Sequence, residues 1–258
     1  MRLPRIEALF LAYTALLGGA VGSFLNVCIA RLPVGESVVR PRSRCPSCGC
    51  PIAWHDNVPL LGFLLVRGRC RACRERISLQ YPAVELATIL IWLGLAAIYG
   101  PSWHSLRGSV LFSLLLAIAV IDGRHYLIPD VLSLSGLGAG LALSLLPGPP
   151  TPLSALVGAG LGYLVLFAAG LAGEWIFKKP AMGGGDMKMM AMLGAFLGPV
   201  GAMLTIFLGA LTGSLIFGPI SLKTKQLVPF GVFLAVGGAV TFLAGETLVD
   251  WYRGLLGA

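Results

Sequence analysis

The stretch Met182-Gly183-Gly184-Gly185-Asp186-Met187-Lys188 lies at the start of a long apolar segment and delivers a carboxylate after three consecutive glycines. A second carboxylate, Asp122, closes an earlier apolar run. An ionised carboxylate within a bilayer costs about 2.5 to 3.5 kcal/mol on insertion scales, so residues of this kind usually have a function. We therefore interpret Asp122 and Asp186 as a functional pair. Gly183 and Gly185 are expected to support it, because glycine admits a substrate backbone closely and allows unusual backbone angles.

The composition is that of a polytopic membrane protein. Of the 258 residues, 57% are hydrophobic and 12% are charged. Several apolar runs exceed the roughly 18 residues that separate a spanning helix from a buried one. The net charge of +8 does not indicate a nucleic-acid partner, because the basic residues are not interleaved with exposed aromatic residues, and orientation in the membrane explains it better. We predict an all-α polytopic membrane protein with about eight transmembrane helices, surrounded by membrane lipids.

Charge and hydropathy divide the chain into three regions. Residues 1–30 are predicted to form a first transmembrane helix, retained because its apolar run is longer than the roughly 7 to 15 residues of a signal-peptide core. Residues 31–81 carry nine arginines and three acidic residues, which predicts a cytoplasmic loop domain by the positive-inside rule. Residues 82–258 are predicted to form the membrane core.

Counting crossings from the arginine-rich loop gives eight, provided that Gly198-Pro199 interrupts the long apolar run that follows Asp186. Proline lacks a backbone donor and clashes with the preceding helical turn, so we expect two helices separated by a turn there. The count uses only the arginine-rich loop, yet it puts Asp122 and Asp186 on the same cytoplasmic face. Arg107 is the basic residue that disagrees with the charge rule.

Four cysteines in the loop domain have the spacing of a metal site. Two C-x-x-C pairs, formed by Cys45, Cys48, Cys70 and Cys73, are separated by 21 residues, which favours tetrahedral zinc. The alternative is a pair of disulfides, which a reducing cytoplasmic compartment disfavours. Cys50 could compete as a ligand, but its spacing is wrong. A site closed by four thiolates leaves no position for substrate, so the zinc is predicted to be structural.

Three further polar residues near the apolar segments have open or simple interpretations. Glu85 could hydrogen-bond within the helix bundle or play a secondary role near the site. His125 could act as a general base, although a loop histidine beside an arginine is usually solvated. Asp130 precedes an apolar run and is expected to N-cap the next helix.

Two carboxylates on one membrane face favour aspartic peptide hydrolysis. The ionised carboxylate would take a proton from the attacking water, and the protonated one would hydrogen-bond the scissile carbonyl. Two close carboxylates are expected to share one proton and titrate as a unit. A proton-coupled transporter would also use membrane acids, but it predicts mid-helix acids and internal repeats. A zinc-bearing scaffold would explain the cysteines and leave both aspartates unexplained.

The chain resembles the type IV prepilin peptidases through most of its length. The shared motifs are Gly22-Ser23-Phe24-Leu25-Asn26-Val27, Arg31-Leu32-Pro33, the paired C-x-x-C, Asp56-Asn57-Val58-Pro59-Leu60-Leu61, Arg67-Gly68-Arg69-Cys70, Tyr81-Pro82-Ala83-Val84-Glu85-Leu86, Ile121-Asp122 to Ile128-Pro129-Asp130, Gly183-Gly184-Gly185-Asp186-Met187-Lys188 and Pro229-Phe230-Gly231. The resemblance implies a bacterial inner-membrane enzyme that removes a short basic leader from prepilins and pseudopilins at the cytoplasmic face. It also implies N-methylation of the new terminus with S-adenosylmethionine.

By the same resemblance, Asp122 and Asp186 correspond to the family's catalytic aspartates, and Cys45, Cys48, Cys70 and Cys73 to its cytoplasmic cysteines. Gly183, Gly185 and Lys188 belong to the motif around Asp186 and are predicted to support it. S-adenosylmethionine rests on the resemblance alone, because the sequence has no dinucleotide-type glycine fingerprint. The chain departs from the family pattern at Lys179-Pro180, where many relatives have Arg-Glu, and at Val232, where proline is common. Neither departure is expected to touch the acids.

Overall fold

The computed structural model describes residues 3–179, 182–224 and 229–256, and these residues are mostly α-helical. Their α-helices are α1 (Leu3–Arg31), α2 (Leu61–Leu65), α3 (Gln80–Tyr99), α4 (Trp103–His125), α5 (Asp130–Leu143), α6 (Pro152–Phe177), α7 (Gly184–Thr224) and α8 (Phe230–Leu256). Extended pairing within the described part is limited to two isolated bridges, Arg44 with Pro51 and Arg69 with Arg76. The predicted all-α class is confirmed.

Six of the helices are long and apolar enough to cross a membrane, namely α1, α3, α4, α6, α7 and α8. Helix α5 has 14 residues, fewer than the roughly 20 that span the hydrocarbon core. Many large apolar side chains on these helices are exposed, among them Leu16, Leu90 and Leu164. Such a surface suits lipid, since soluble monomers rarely expose extensive apolar patches.

The break expected at Gly198-Pro199 is a kink inside α7. Gly198 has φ 70° and ψ −177°, while the helix resumes at the next residue. A Cβ at Gly198 would lie 2.8 Å from the Ser154 hydroxyl oxygen, so both the backbone angle and the lack of space require glycine. The two predicted helices are therefore two halves joined through one residue. The sequence predicts about eight crossings, whereas the described residues contain six helices with the length and apolar character of a span, because α5 is shorter than a span and α7 continues through its kink.

The chain forms two compact units, Met1–Ala117 and Ile118–Ala258, with the boundary inside α4. In the first unit α1 packs along α3, and a Cβ on Gly22 would lie only 2.8 Å from the Cα of Glu85. The loop between α1 and α3 contains the short helix α2 and the four clustered cysteines. The division of the chain at residues 31 and 82 stays a prediction.

Helix α7 is the centre of the second unit, where it packs against α5, α6 and α8. Gly158 of α6 and Gly194 of α7 touch through their backbones and leave no room for a side chain at either position. Thr205 donates a hydrogen bond to Thr241 of α8 at 3.2 Å, buried between the helices. Small residues and buried hydroxyls of this kind let membrane helices approach closely, because lipid supplies no hydrophobic drive for their association.

Arg107, which disagreed with the charge rule, lies within α4 and is only 2% exposed. The positive-inside rule concerns basic residues in the loops that flank membrane helices. A buried guanidinium within a helix carries no such topological signal. The disagreement therefore comes from assigning Arg107 to a loop, whereas the helix begins four residues earlier, at Trp103.

Candidate active site and metal centre

Asp122 lies three residues before the end of α4 and is 4% exposed. The backbone N–H of Val232, in the first turn of α8, donates a hydrogen bond of 3.1 Å to its Oδ2 atom. A hydrogen bond to a charged group is stronger than one between neutral groups, so this donor fixes the carboxylate on α4 against α8.

Asp186 is half-buried in the first turn of α7. Its backbone N–H donates to the carbonyl oxygen of Gly183 at 3.2 Å, which places the side chain at the start of the helix. Its carboxyl group is within electrostatic range of Asp122. The second unit thus brings together the two acids that the sequence paired, although they are 64 residues apart in the chain.

Ile128, buried in the connection from α4 to α5, links the surroundings of the two acids. A Cβ on Gly185 would lie 2.9 Å from the Cβ of Ile128. A Cβ on Gly231 would lie 2.6 Å from Ile128 Cδ1 and 2.9 Å from Asp122 Oδ2. Glycine is therefore needed beside both acids for space.

The expectation that unusual backbone angles would explain Gly183 and Gly185 is wrong. Neither residue is among the glycines with a positive φ, and Gly185 lies in the first turn of α7. Gly185 accommodates the side chain of Ile128, and Gly183 faces the Asp186 carboxylate, whose Oδ2 would lie 3.1 Å from an added Cβ. Close packing at the acid explains these two positions better than backbone freedom does.

The expectation that Val232 would not touch the acids is also wrong. Its N–H is the donor to Asp122, and proline, the residue common in the family at this position, has no N–H to donate. Val232 and Gly231 are functional candidates that the sequence analysis missed. The sequence contained a signal for these residues, because Pro229-Phe230-Gly231 is one of the motifs shared with the family. Nothing in the sequence connected that motif with Asp122. Pro180, the second residue of the other departure, lies outside the described residues.

Lys188, predicted to support the pair, forms an ion pair of 2.6 Å with Asp130. Asp130 was expected to N-cap α5, but the N-cap is Pro129 and Asp130 is the first helical residue. The pair joins the first turns of α5 and α7, with the side chains 36% and 56% exposed. An exposed pair contributes about 0 to 1 kcal/mol to stability, so its main consequence is to orient the two helix starts.

His125 and Glu85, whose roles the sequence left open, lie in different surroundings. His125 is exposed at the end of α4. Glu85 is buried in α3 and accepts a hydrogen bond of 2.8 Å from the backbone N–H of Leu60, in the loop before α2. Glu85 therefore hydrogen-bonds within the helix bundle of the first unit, which is one of the two roles that the sequence left open for it.

The thiols of Cys45, Cys48, Cys70 and Cys73 form one cluster, with all four sulfur atoms within 4.8 Å of one another. The Sγ atoms of Cys45 and Cys73 are 3.8 Å apart, and those of Cys48 and Cys70 are 4.0 Å apart. Tetrahedral zinc with Zn–S bonds of about 2.3 Å requires sulfur separations of about 3.8 Å. These four residues could therefore hold one metal ion, and none of them is in a disulfide.

The two halves of the cluster repeat the same backbone pattern. In the first half the N–H of Cys45 donates to the carbonyl of Cys50, and the N–H of Gly49 donates to Cys45. In the second half Cys70 donates to Glu75, and Arg74 donates to Cys70. Gly49 and Arg74 occupy the same left-handed position, with φ of 72° and 62°. The cluster thus contains the same knuckle geometry twice, with an offset of 25 residues in the sequence.

The knuckle backbone favours the thiolate form at one of the four sulfur atoms. Backbone N–H groups of Cys48 and Ser47 donate towards the sulfur of Cys45 and lower the pKa of that thiol to about 6, whereas burial and the neighbouring thiols raise the pKa of Cys48 and Cys73. A ligand thiol must lose its proton to bind zinc, so Cys45 is the ligand with the least proton competition at neutral pH. Cys50, the possible competitor, is exposed and outside the cluster.

Comparison with known families accounts for most of the chain. Residues 16–99 match a profile described as the bacterial peptidase A24 N-terminal domain. Residues 109–218 match a profile described as the type IV leader peptidase family. The first match contains the four cysteines, and the second contains both aspartates.

The curated relatives include several proteins named prepilin leader peptidase/N-methyltransferase. The relative from Aeromonas hydrophila is 37% identical over 263 residues, which cover 90% of each chain. That from Pseudomonas putida is 36% identical over 281 residues, covering 97% of this chain and 96% of the relative. That from Myxococcus xanthus is 44% identical over 189 residues, which cover 73% of this chain and 56% of the relative. No solved structure matches the chain.

Proposed function

Because the chain belongs to the type IV leader peptidase family, we propose that it cleaves the leader of prepilins or pseudopilins and N-methylates the new terminus, with Asp122 and Asp186 as its catalytic carboxylates. The observation that carries the assignment of residues is that Asp122 of α4 and Asp186 of α7 lie around one buried side chain, Ile128, which packs on Gly231 beside Asp122 and on Gly185 beside Asp186. Relatives that align over nine-tenths of this chain carry both activities in their name.

The reaction we propose is hydrolysis by a carboxylate pair that shares one proton. The ionised carboxylate takes a proton from water, whose oxygen attacks the scissile carbonyl carbon. The protonated carboxyl group hydrogen-bonds the carbonyl oxygen, which becomes the hydroxyl of the tetrahedral intermediate. The C–N bond then breaks as the amine leaves with a proton from the pair, and one hydroxyl of the intermediate returns its proton to the pair as the new carboxylic acid forms. One water is consumed, and the pair returns to its shared-proton state.

Residues around the pair have positioning roles in this proposal. The N–H of Val232 holds one oxygen of Asp122, which fixes the orientation of the carboxylate during the reaction. Gly185 and Gly183, just before Asp186, and Gly231, which faces Asp122 from α8, leave space beside the acids because they carry no side chains. Lys188 fixes the start of α7, and therefore Asp186, through its ion pair with Asp130 on α5.

We place the protein in the bacterial inner membrane as a multi-pass enzyme, with the carboxylates and the cysteine cluster on the cytoplasmic side. The nine arginines of residues 31–81 support this orientation, since basic loops stay in the cytoplasm. A basic leader would then meet the two acids at the membrane face, while the apolar helix that follows the leader stays in lipid.

The proposals for zinc and for S-adenosylmethionine rest on different kinds of evidence. Cys45, Cys48, Cys70 and Cys73 would hold zinc, which would close the loop domain and take no part in hydrolysis, because four thiolates fill its coordination sphere. S-adenosylmethionine would supply the methyl group for N-methylation. None of the described residues is assigned to its binding.

The test is cleavage of a membrane-embedded prepilin by the purified full-length protein, followed by mass spectrometry of the products. The wild type should release the leader, and added S-adenosylmethionine should increase the product mass by about 14 Da. The variant Asp186→Asn should leave the substrate intact at equal zinc content and melting temperature.

Asp250→Asn is the matched control, because Asp250 is an exposed aspartate near the end of α8. It should cleave at the wild-type rate. Cleavage by Asp186→Asn at the rate of this control would exclude Asp186 from the reaction, and absence of cleavage by the wild type would exclude the proposed substrate class.

A further inference from the structure

The short helix α2 is attached to the membrane helices of the first unit. Pro59, two residues before α2, packs on Gly19 of α1, where an added Cβ would lie 3.2 Å from the Pro59 Cβ. The N–H of Leu60 donates to the Glu85 carboxylate of α3 at 2.8 Å. Leu60 has φ 58°, an uncommon angle for a residue with a side chain, which indicates that these contacts constrain the chain there.

These contacts define the depth of α2. Glu85 lies five residues into α3, whose apolar span begins at Gln80. At 1.5 Å per residue, the Cα of Glu85 lies about 7 to 8 Å along α3 from the start of that span, and Leu60 is held at the carboxylate of this residue. Interfacial helices bury their apolar faces about 5 to 10 Å into the boundary between headgroups and acyl chains. Helix α2 therefore starts at the depth of the membrane interface.

At this depth α2 exposes a leucine surface. Leu61, Leu64 and Leu65 are 58%, 66% and 68% exposed. Gly62 faces inwards, where its backbone touches the carbonyl of Asp56 without room for a side chain. The helix is thus fixed through one face, and its other face is apolar and uncovered by the unit to which it belongs.

Arginine residues come directly after the leucine surface in the sequence. After α2 the chain turns through Arg67 and Gly68, with φ of 53° and 65°. The turn forms an open cavity of about 360 Å³ lined by Leu65, Val66, Arg67, Arg69, Arg71 and Arg74. Arg71 is engaged by Asp56 through two hydrogen bonds of 2.6 and 2.7 Å, which hold the pKa of Asp56 below its ordinary value.

The other three guanidinium groups, on Arg67, Arg69 and Arg74, have no acidic partner among the described residues, and all three are exposed. Arginine presents a planar set of donors that matches phosphate oxygens. Each basic residue near an anionic membrane contributes about 1 kcal/mol of attraction. Leu65 and Val66 line the same cavity, so the ligand that fits has an apolar part beside its anionic part.

We propose that residues 59–74 bind anionic phospholipid, with Leu61, Leu64 and Leu65 in the acyl region and Arg67, Arg69 and Arg74 on the headgroup phosphates. The surface anchors the loop domain to the membrane between α1 and α3. Free phosphate would satisfy the arginines and leave the leucines in water, so the lipid is the occupant. The anchor is independent of the catalytic proposal, because all of its residues lie in the first unit.

Lipid binding to the full-length, zinc-loaded protein in detergent can be measured by native mass spectrometry with phosphatidylglycerol, phosphatidylcholine or inorganic phosphate as the probe. Substitution of Arg67, Arg69 and Arg74 by glutamine should weaken phosphatidylglycerol binding by about tenfold or more. The matched control is glutamine at Arg40, Arg42 and Arg76, which are exposed arginines of the same loop outside the cavity. It should change binding by less than about twofold.

Three results would overturn the anchor. Equal losses in the two triple variants would show attraction by overall charge. Equal retention of phosphatidylcholine would show that the headgroup charge is not recognised. Binding of inorganic phosphate as tight as that of phosphatidylglycerol would make the cavity a site for free anions.

A measurement on the wild type needs no substitution and covers the case in which a variant loses its fold. In nanodiscs, nitroxide-labelled acyl chains should broaden the methyl signals of Leu64 and Leu65, and a soluble paramagnetic chelate should not. Val39, an exposed residue in the loop after α1, is the comparison and should respond to the chelate. Broadening of Leu64 and Leu65 by the chelate alone would contradict the anchor.

Discussion

The thiol cluster and the carboxylate pair are built in opposite ways. The first and last ligands of the cluster, Cys45 and Cys73, are 28 residues apart, and each half is closed by its own backbone hydrogen bonds. The carboxylate pair joins α4 to α7, and its backbone donor on α8 is 110 residues from Asp122. A local motif can form a closed site almost alone, whereas the pair exists only when three membrane helices are packed.

This difference fits the separate tasks that we propose for the two sites. Four converging sulfur atoms can fill a tetrahedral metal and leave no ligand position for substrate. In the proposed reaction, the two neighbouring carboxylates, with glycines beside them, act as acid and base towards a bound peptide. A substitution at the cysteine cluster should therefore leave the carboxylate pair intact, and a substitution at the pair should leave the zinc content unchanged. The following substitutions test that separation.

The largest effect is expected for Cys45→Ser. Loss of one thiolate should reduce zinc from about one ion per chain to a small fraction, because structural zinc contributes on the order of 10 kcal/mol to the fold that it closes. Zinc content by elemental analysis is the measurement. The adjacent Cys50→Ser is the control, since Cys50 lies outside the cluster and should bind zinc normally. Equal zinc loss in both variants would show that zinc binding also depends on Cys50.

A smaller effect, on cleavage and not on zinc, is expected for Gly231→Ala. The new Cβ would lie 2.9 Å from Asp122 Oδ2 and 2.6 Å from Ile128 Cδ1, so the carboxylate or its neighbour must move. A displacement of about 1 Å at a catalytic group can cost about 10²-fold in rate. The rate of prepilin cleavage measures the effect of Gly231→Ala. Gly160→Ala of α6 is the control, because an added Cβ at Gly160 meets open space. An unchanged rate would show that the pair tolerates displacement.

The smallest effect is expected for Val232→Pro. Proline is tolerated in the first turn of a helix but removes the N–H that Asp122 accepts, so cleavage should fall by about tenfold, the value of one hydrogen bond to a charged group. Val232→Ala keeps the donor and should retain the wild-type rate. Comparison of the two rates measures the loss of this N–H, which donates to the Pro229 carbonyl at 3.2 Å as well as to Asp122. Equal rates would mean that Asp122 is positioned without it.

The sequence predicted those parts of the molecule that depend on local pattern. The apolar runs located the membrane helices, and the C-x-x-C spacing located the cluster, because both signals are complete within short segments. The crossing count put Asp122 and Asp186 at one face, and the structure brings them into electrostatic range. Helix order and the arginine-rich loop were sufficient for that result.

Contacts between distant residues were beyond the sequence analysis. The sequence around Val232 does not indicate that this residue donates a hydrogen bond to Asp122. Likewise, the sequence around Gly185 and Gly231 does not indicate that both residues pack against Ile128. Asp130 looked like an N-cap because of its position, while the structure pairs it with Lys188 on another helix. In each case the partner is determined by helix packing, which a pattern within one segment does not specify.

The central claim is that Asp122 and Asp186 act as one catalytic unit. The most direct measurement compares prepilin cleavage rates of Asp122→Asn, Asp186→Asn and the double variant, each at full zinc content. Groups that work as a unit are strongly non-additive, so each single variant should lose on the order of 10⁴-fold, and the double variant should be no more than about threefold slower than either. Losses that multiply in the double variant, or a single variant that keeps its rate, would contradict the claim.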